Sequence, residues 1–324
     1  MAENSKIEWC DHTWNPWIGC TRISPACDHC YAARIDHRFG GGHWGAGATR
    51  KCTSASNWIK PLQWNRRAEA EGVRYRVFCA SLADVFDNEV PTGWRVDLFD
   101  LIRQTPHLDW LLLTKRIGNV EQMLNKAADH ACISVGSTPL MKWIERWADG
   151  DVAPPNVWLG ATVVNQDEAD RDVPKLLNTP AAVRFLSIEP MLGPITLLDP
   201  DDDDGEPRVN WLRGFDGSDP GIPALDWIIA GGESGPQARP SHPDWFRSLR
   251  DQCVNAGVPF LFKQWGEWHP LGQAMADGCI NAKGSPRSWH QFEDCEAVEN
   301  VGKVPAGRML DGRTWDQFPQ EHGL

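Results

Sequence analysis

Three cysteines lie close together near the start of the chain, in the stretch WNPWIGCTRISPACDHCYAARID. Six residues separate Cys20 from Cys27, and two separate Cys27 from Cys30, within one loop that contains proline and glycine. Thiolates at this spacing can converge on one metal centre. Three cysteine ligands leave one iron of a four-iron cluster without a protein ligand, which chemistry at that iron would need. The spacing therefore predicts a metal site built from these thiolates.

The spacing does not choose between an iron–sulfur cluster and zinc. A structural zinc site takes four ligands, so a fourth side chain would have to join the three cysteines. Candidates near in sequence are His29, His37, Cys10 and Cys52. Zinc therefore stays open as the alternative metal at this stage, and three uncoordinated thiols are a further alternative.

The compartment can be judged from the ten cysteines and from the first residues, MAENSKIEWCDHTW. This start lacks the basic segment and apolar core of a signal peptide, and no uncharged apolar run reaches membrane-spanning length. We therefore expect a cytoplasmic protein without a membrane partner. Its thiols should stay reduced and remain free for metal or redox roles.

The net charge of -12 bears on the partner. A strongly acidic chain is a poor candidate for binding duplex nucleic acid mainly by neutralising phosphates, although a local basic groove can exist on an acidic protein. The charge thus disfavours nucleic acid as substrate without excluding it. The acidic stretch DPDDDDGEP is typical of a solvated surface loop.

The elements that must position the cysteines are predicted by short apolar runs. They are apolar in their middles, which indicates strands buried on both faces, as in a parallel sheet covered by helices. The runs span 77–81, 110–115, 157–163, 183–190, 227–234 and 259–266. Helix-like stretches between them span 90–106, 119–130, 166–178 and 242–257. With a short first strand near 12–17, the pattern predicts an α/β fold, a partial or complete βα (TIM-like) barrel of about seven units.

The domain organisation follows from the segments that do not fit this pattern. We predict a barrel-like domain over 1–270 that carries the cysteine loop and has insertions near 39–53 and 199–224. Residues 271–324 are predicted to form a C-terminal extension packed on the barrel.

Polar or small residues follow the predicted strands. In βα folds these strand ends form one face, where catalytic and cofactor-binding groups gather. The predicted catalytic residues are Asp84, Lys115, Lys263 and Gln264. The predicted cofactor-binding residues are Ser81, Ser187, Glu189, Gly231, Gly232, Glu233 and Ser234. Within GGESG, the glycines permit close approach of the backbone to a ligand, and Glu233 and Ser234 supply polar partners. The alternative for Glu189 and Lys263 is a surface ion pair.

With these residues in view, the chain resembles a family of phage and bacterial proteins of unassigned function that open with a W-N-P-x-x-G-C stretch and a three-cysteine loop. The resemblance covers most of the chain. Its further motifs are IEW at 7–9, LLTKR at 112–116, VWLG at 157–160, RFLSIEPMLGPI at 184–195, GGESGPQARP at 231–240 and FKQWG at 262–266.

That family is similar, in the cysteine loop, to the spore photoproduct lyase branch of radical S-adenosylmethionine enzymes. The similarity implies that the three cysteines hold a [4Fe-4S] cluster, that the amine and carboxylate of S-adenosylmethionine fill the fourth iron, and that Tyr31 is the aromatic beside the last cysteine. The chain departs from that branch in its longer first spacing and in His29, which replaces an aromatic residue. The implied activity is radical chemistry on an unidentified substrate, with a nucleic-acid-related substrate left open and DNA lesion repair suggested only by analogy with that branch. The alternative is a metal-binding accessory protein of phage or host nucleic-acid metabolism, without catalysis.

Overall fold

A computed structural model of the chain describes residues 3–135, 138–197, 210–214, 223–271 and 288–320. The chain divides into two compact units. The first unit comprises Met1–Ser24, Cys30–Ala161 and Lys175–Arg184, and the second comprises Pro25–His29, Thr162–Pro174 and Phe185–Leu324. Cys20 and Cys30 therefore belong to the first unit and Cys27 to the second.

The helices and strands alternate along most of the chain. In order they are β1 (His12–Thr13), β2 (Trp17–Ile18), α1 (Tyr31–Arg38), β3 (Lys51–Cys52), α2 (Ala55–Trp58), α3 (Lys60–Glu71), β4 (Tyr75–Cys79), α4 (Thr92–Arg103), β5 (Leu108–Thr114), α5 (Val120–Val135), α6 (Pro139–Ala148), β6 (Val157–Thr162) and α7 (Gln166–Leu177). There follow β7 (Val183–Ile188), β8 (Trp227–Gly231), α8 (Pro243–Ala256), β9 (Phe260–Gln264), β10 (Trp268–Pro270), β11 (Trp289–Gln291), β12 (Ala297–Asn300) and α9 (Lys303–Ala306). Two short 3-10 turns span Pro25–Cys27 and Ile117–Asn119.

Seven parallel strands of the described chain form the main sheet, in the order β1-β4-β5-β6-β7-β8-β9. The order follows the chain, as expected when each strand is followed by a crossover that returns to the next position. The predicted α/β fold, a partial TIM-like barrel of βα units, is confirmed. Each of the seven predicted strands corresponds to one strand of this sheet.

The strands form where the apolar runs predicted them because their side chains are covered on both faces. In β5, the successive residues Trp110, Leu111 and Leu112 are all fully buried. Neighbouring side chains of a strand point to opposite faces, so burial of all three requires cover on both sides.

The crossover helices have ordinary start and stop signals. Helix α8 has a proline at its first position, His242 as its N-cap and Gly257 in the left-handed conformation (φ 74°) at its end. The four predicted helices match α4, α5, α7 and α8, whereas α1, α3 and α6 were not predicted. In the described ranges, no helix has both the length and the apolar character needed to cross a membrane.

Described residues of the predicted C-terminal extension contact β9 and the residue just after it within the second unit. The backbone N–H of Phe262 in β9 donates to the carbonyl of Trp315 at 2.9 Å, and that of Trp265 donates to the carbonyl of Gly307 at 3.1 Å. A small antiparallel sheet has the order β10-β12-β11. Most of the predicted insertion near 199–224 lies outside the described residues.

Candidate functional site

The WNPWIGC stretch is held against the end of β4 by one buried amide. Asn15 is fully buried, and its side chain donates to Ser81 Oγ at 3.0 Å and accepts from the backbone N–H of Leu82 at 2.6 Å. The backbone carbonyl of Asn15 accepts from Thr53 Oγ1 and Asn57 Nδ2, both at 3.0 Å. A buried amide with this many partners fixes the loop that leads to Cys20.

The glycine before Cys20 is required by the backbone. Gly19 has a φ of 114°, and a Cβ at this position would lie 2.3 Å from the carbonyl oxygen of His43. Its N–H donates to the carbonyl of Leu82 at 3.1 Å. Only glycine tolerates this combination of conformation and contact, so the Gly-Cys pair sets the position of Cys20.

The Cys20 sulfur receives a charged donor. Arg116 Nη1 lies 3.4 Å from Sγ, and the thiol itself faces the carbonyl of Thr21 at 3.6 Å. Burial raises the pKa of the Cys20 thiol to about 11, Asp84 adds to the rise, and Arg116 acts in the opposite direction. A sulfur that carries negative charge would be stabilised here by Arg116.

Arg116 follows β5 and is held in place on several sides, with 8% of its surface exposed. Its Nη2 donates to the carbonyl of Thr21 at 2.6 Å, and its Nη1 lies 3.3 Å from Asp84 Oδ2. Asp84 also accepts from Thr114 Oγ1 at 2.7 Å and from the backbone N–H of Lys115 at 3.1 Å. The predicted catalytic residue Asp84 therefore lies close enough to Cys20 to act on its charge, and it binds the backbone of Lys115, a second predicted catalytic residue.

Further charges are buried behind this group. Arg50 Nε donates to Asp87 Oδ2 at 2.7 Å and Arg50 Nη2 donates to Thr21 Oγ1 at 2.6 Å, while Glu89 lies 3.9 Å from Arg50 at a more exposed position. Arg95 donates to two backbone carbonyls, and burial lowers its pKa to about 10. Among the buried residues described in the first unit, this region around Cys20 holds three arginines and two aspartates. The buried side chains of this region therefore carry one more positive than negative charge, three against two.

Cys30 and Tyr31 stand at the start of α1. Cys30 is the N-cap residue, so its half-buried thiol lies at the helix end that favours negative charge. The Tyr31 hydroxyl donates to the carbonyl of Ser81 at 2.7 Å, and about half of the residue (48%) is exposed. Tyr31 and Ser81, both predicted to bind the cofactor, are thus in contact.

The proposed zinc ligands of the first unit do not form a preassembled site. Cys10 is buried, whereas Cys52 and His37 are exposed. Among the first unit's described residues, no three His, Cys, Asp or Glu side chains bring ligand atoms within 4.8 Å of one another. A closed zinc site made from these residues would require rearrangement.

One such trio, His242, Asp244 and Asp294, does occur in the second unit. His242 Nδ1 accepts from the backbone N–H of Asp244 at 3.1 Å, so its Nε2 carries the proton and donates to Asp294 at 3.0 Å. The imidazole therefore caps the N-terminus of α8, and helix capping accounts for the proximity of these three side chains without a metal ion.

The loop segment that carries Cys27 is clamped by Arg239. Its Nη2 donates to the carbonyl of Pro25 at 2.9 Å and its Nη1 to Asp28 Oδ2 at 3.0 Å. Glu233 holds the same guanidinium, accepting from Nη2 at 2.7 Å and from Nε at 2.9 Å. The clamp, defined as Arg239 with Glu233, thus grips residues on both sides of Cys27.

Glu233 also faces the imidazole of His29, whose Nδ1 lies 3.2 Å from Oε2. Burial raises the pKa of Glu233, but hydrogen bonds from Arg239 and His29 lower it more, so its net pKa lies below the usual value. The predicted cofactor-binding residue Glu233 therefore has its carboxylate engaged by protein groups.

A second polar group links the ends of β7, β8 and β9. Lys263 Nζ lies 2.8 Å from both carboxylate oxygens of Glu189. Gln264 Nε2 donates to Glu189 at 3.2 Å and to Ser234 Oγ at 2.7 Å. Four residues predicted from the sequence are thus brought together, and the Glu189–Lys263 ion pair is part of a larger chain of polar contacts.

Three predicted residues have roles in the fold itself. A Cβ on Gly232 would lie 2.0 Å from the carbonyl oxygen of Trp265, and one on Gly231 would lie 3.4 Å from that of Gln264. The backbone of Ser187, which is buried, accepts from Val163 at 3.3 Å. The absence of a side chain at Gly232 is therefore explained by close packing of β8 against β9, and a ligand contact there stays a prediction.

Sequence reasoning missed the arginines. Arg116 and Arg239 lie within the LLTKR and GGESGPQARP motifs, and a charged residue just after a buried strand was the available signal for Arg116. Arg50 and Arg95 gave no such signal, because Arg50 binds Asp87, 37 residues away, and Arg95 binds carbonyls of the loop before its helix.

These surroundings fit a group bound through sulfur. The described cysteines of the loop are free thiols, Cys20 faces a cationic donor, and Cys30 lies at a helix N-terminus. The guanidinium of Arg116 favours a negative charge on Cys20 and the helix N-terminus favours one on Cys30, as metal ligation by cysteine requires, whereas burial and Asp84 oppose that charge at Cys20.

Two solved structures, both mutant forms of spore photoproduct lyase, are similar to this chain. Each comparison covers 93% of this chain and 71% of that chain at 11% sequence identity, with TM-scores of 0.39 and 0.41. Neither likeness carries an argument about activity. No curated protein matches the sequence.

A family model does match nearly the whole chain, over residues 4–319. The matched span contains the cysteine loop, the arginines that contact it and the polar residues at the strand ends. The chain belongs to the family described as "Protein of unknown function (DUF5131)".

Proposed function

We propose that the chain is a radical S-adenosylmethionine-type enzyme whose [4Fe-4S] cluster is held by Cys20, Cys27 and Cys30. The observation that carries the proposal is the Arg116 guanidinium, 3.4 Å from the Cys20 sulfur inside a buried polar network. A buried cation aimed at a sulfur is expected where that sulfur is negatively charged. Three cysteine ligands leave one iron without a protein ligand, and this number favours a cluster that reacts over one that only carries electrons.

The polar group at the ends of β7, β8 and β9 is the proposed contact for the cofactor. Lys263 supplies a cationic donor, while Glu189, Gln264 and Ser234 supply polar partners for an amine and a carboxylate. When bound, the cluster and S-adenosylmethionine would supply a carbon-centred radical that removes hydrogen from the substrate. The protein's part is to orient the substrate and exclude water.

The other predicted residues are proposed to border the cofactor or to position its neighbours. Tyr31 and Ser81 would border the cofactor beside Cys30, and Glu233 would act mainly through Arg239 on the Cys27 segment. Asp84 is proposed as a positioning residue, because both of its oxygens already accept hydrogen bonds. The substrate stays unidentified, and a cytoplasmic location would keep the thiols reduced.

The alternative is a metal-binding accessory protein in which His29 completes a closed four-ligand site. The observation that favours it is the Glu233 carboxylate, 3.2 Å from His29 Nδ1. Metal-binding histidines commonly direct one ring nitrogen to a carboxylate while the other binds the metal. This alternative predicts zinc or a fully ligated cluster, with no response to S-adenosylmethionine.

The test is anaerobic purification with measurement of iron, zinc, acid-labile sulfide and the visible spectrum. Cys27→Ala is compared with Cys132→Ala, which removes an exposed cysteine of α5. We expect a brown four-iron protein that loses its cluster only in Cys27→Ala and whose spectrum changes with S-adenosylmethionine. Colourless protein with stoichiometric zinc would refute the proposal and favour the alternative.

A further inference from the structure

The Arg116 guanidinium contacts both the Cys20 sulfur and the Asp84 carboxylate. We infer that Arg116 donates a charged hydrogen bond to the Cys20 sulfur of the cluster and thereby sets the cluster's reduction potential. This inference rests on the proposed function. It gives a named role to the last residue of LLTKR, which the sequence alone left without one.

The position of Arg116 is fixed by contacts that do not involve the sulfur. Its Nη2 donates to the carbonyl of Thr21 at 2.6 Å, and its backbone N–H donates to Thr114 Oγ1 at 2.8 Å. Thr21 is bound in turn by Arg50 at 2.6 Å. The guanidinium therefore cannot move away from Cys20 without breaking its hydrogen bonds to the Thr21 carbonyl and to Asp84.

A purely structural ion pair with Asp84 would not explain this arrangement. Asp84 Oδ1 already accepts from Thr114 Oγ1 and from the backbone N–H of Phe86, at 2.7 and 2.9 Å, and Oδ2 accepts from Lys115 N–H at 3.1 Å. Arg116 Nη1 lies 3.3 Å from Oδ2, a distance like the 3.4 Å that separates it from Cys20 Sγ. One guanidinium nitrogen is thus shared between a satisfied carboxylate and a sulfur.

The electrostatic consequence has a definite sign. Accepting an electron adds one negative charge to a cluster, and a fixed positive charge nearby stabilises the reduced form. Hydrogen bonds to the sulfurs of a cluster act in the same direction. Arg116 should therefore raise the midpoint potential, and the aspartates behind it should limit the size of that effect.

The experiment compares midpoint potentials of full-length, anaerobically purified protein by EPR-monitored redox titration. Arg116→Gln keeps a hydrogen-bond donor but removes the charge, and Arg103→Gln removes an arginine of α4 that pairs with Asp100. At the wild-type midpoint, Arg116→Gln should lower the reduced-to-oxidised ratio about tenfold, equivalent to about 59 mV for one electron. Arg103→Gln should leave the ratio unchanged, and iron and sulfide per chain should match in both variants.

An unchanged midpoint in a cluster-loaded Arg116→Gln would overturn the inference. If that variant folds without a cluster, Arg116→Lys decides the question: a midpoint near wild type supports the role of the charge, and a tenfold loss of the reduced form contradicts it. Wild-type protein containing zinc and no sulfide would refute the proposed function instead, before any variant is compared. The two failures are therefore distinguishable.

Discussion

Around Cys20 the contacts are made by buried side chains of the first unit, whereas around Cys27 they depend on one partly exposed arginine of the second. Asn15, Gly19 and Arg116 fix the Cys20 region through the interior. Arg239, with 28% of its side chain exposed, joins the Cys27 segment to buried Glu233. We therefore expect the Cys20 region to be as stable as the interior of the first unit, whereas the Cys27 segment depends on the contacts of one arginine.

The largest effect is expected from Gly19→Ala. The new Cβ would meet the His43 carbonyl at 2.3 Å in a backbone conformation that alanine rarely adopts, so the free energy of unfolding should fall by about 3 kcal/mol. Denaturant unfolding of the metal-free protein measures this. Gly42→Ala is the control, because nothing lies within 4 Å of a Cβ there. Equal stability of the two variants would mean that the Cys20 region is not rigidly built.

Arg239→Ala tests the clamp and should cost about 1–3 kcal/mol, because it leaves the buried Glu233 carboxylate without its main partner. Proteolysis should then cut near residues 25–29. Arg247→Ala is the matched control, since its side chain is similarly exposed (30%) but its partners Asp244 and Asp311 are not buried. It should cost less than about 1 kcal/mol. Indistinguishable protease patterns would break the comparison between the two ends of the loop.

The clamp should also respond to acid. The pKa of Glu233 is raised by burial but lowered more by Arg239 and His29, to a net value below its usual 4.5. The folded protein therefore holds this proton less tightly than the unfolded chain, so the stabilisation is present above about pH 4.5 and is lost as the pH falls through the lowered pKa. Thermal unfolding between pH 6 and pH 3 should show a shallower acid decline for Glu233→Gln than for wild type. Parallel declines would remove Glu233 as a source of acid sensitivity.

The smallest effect is expected from Ser234→Ala, which removes the acceptor of the 2.7 Å bond from Gln264. Ser234 is only partly buried, so the cost should be about 1 kcal/mol. Ser56→Ala, at an exposed serine of α2, should stay within about 0.5 kcal/mol. A loss well above that expected for Ser234→Ala would mean that the strand-end group is as rigid as the Cys20 region.

The sequence predicted the parallel sheet because its strands are buried on both faces, as Trp110 to Leu112 illustrate. The sequence was a poorer guide to the role of glycine, which is common both at ligand sites and where two strands pack closely. Gly232 was interpreted as making room for a ligand, but the Trp265 carbonyl already accounts for its missing side chain. Packing partners from a neighbouring strand cannot be identified from a local motif.

The candidate site was predicted in part for a similar reason. The cysteines and the residues at the strand ends carry local signals. Arg50 and Arg95 are buried because the folded chain supplies them with acceptors, namely the Asp87 carboxylate for Arg50 and backbone carbonyls of a loop for Arg95. Arginine is usually a surface residue, so its type alone gives no hint of burial. Networks of buried charge therefore require the structure.

EPR spectroscopy of the anaerobically reduced protein, with and without S-adenosylmethionine, tests the central claim most directly. The account predicts the signal of one reduced [4Fe-4S] cluster per chain, a shift of that signal when S-adenosylmethionine is added, and no such signal in Cys27→Ala. A reduced protein that gives no cluster signal and contains one zinc per chain would contradict it.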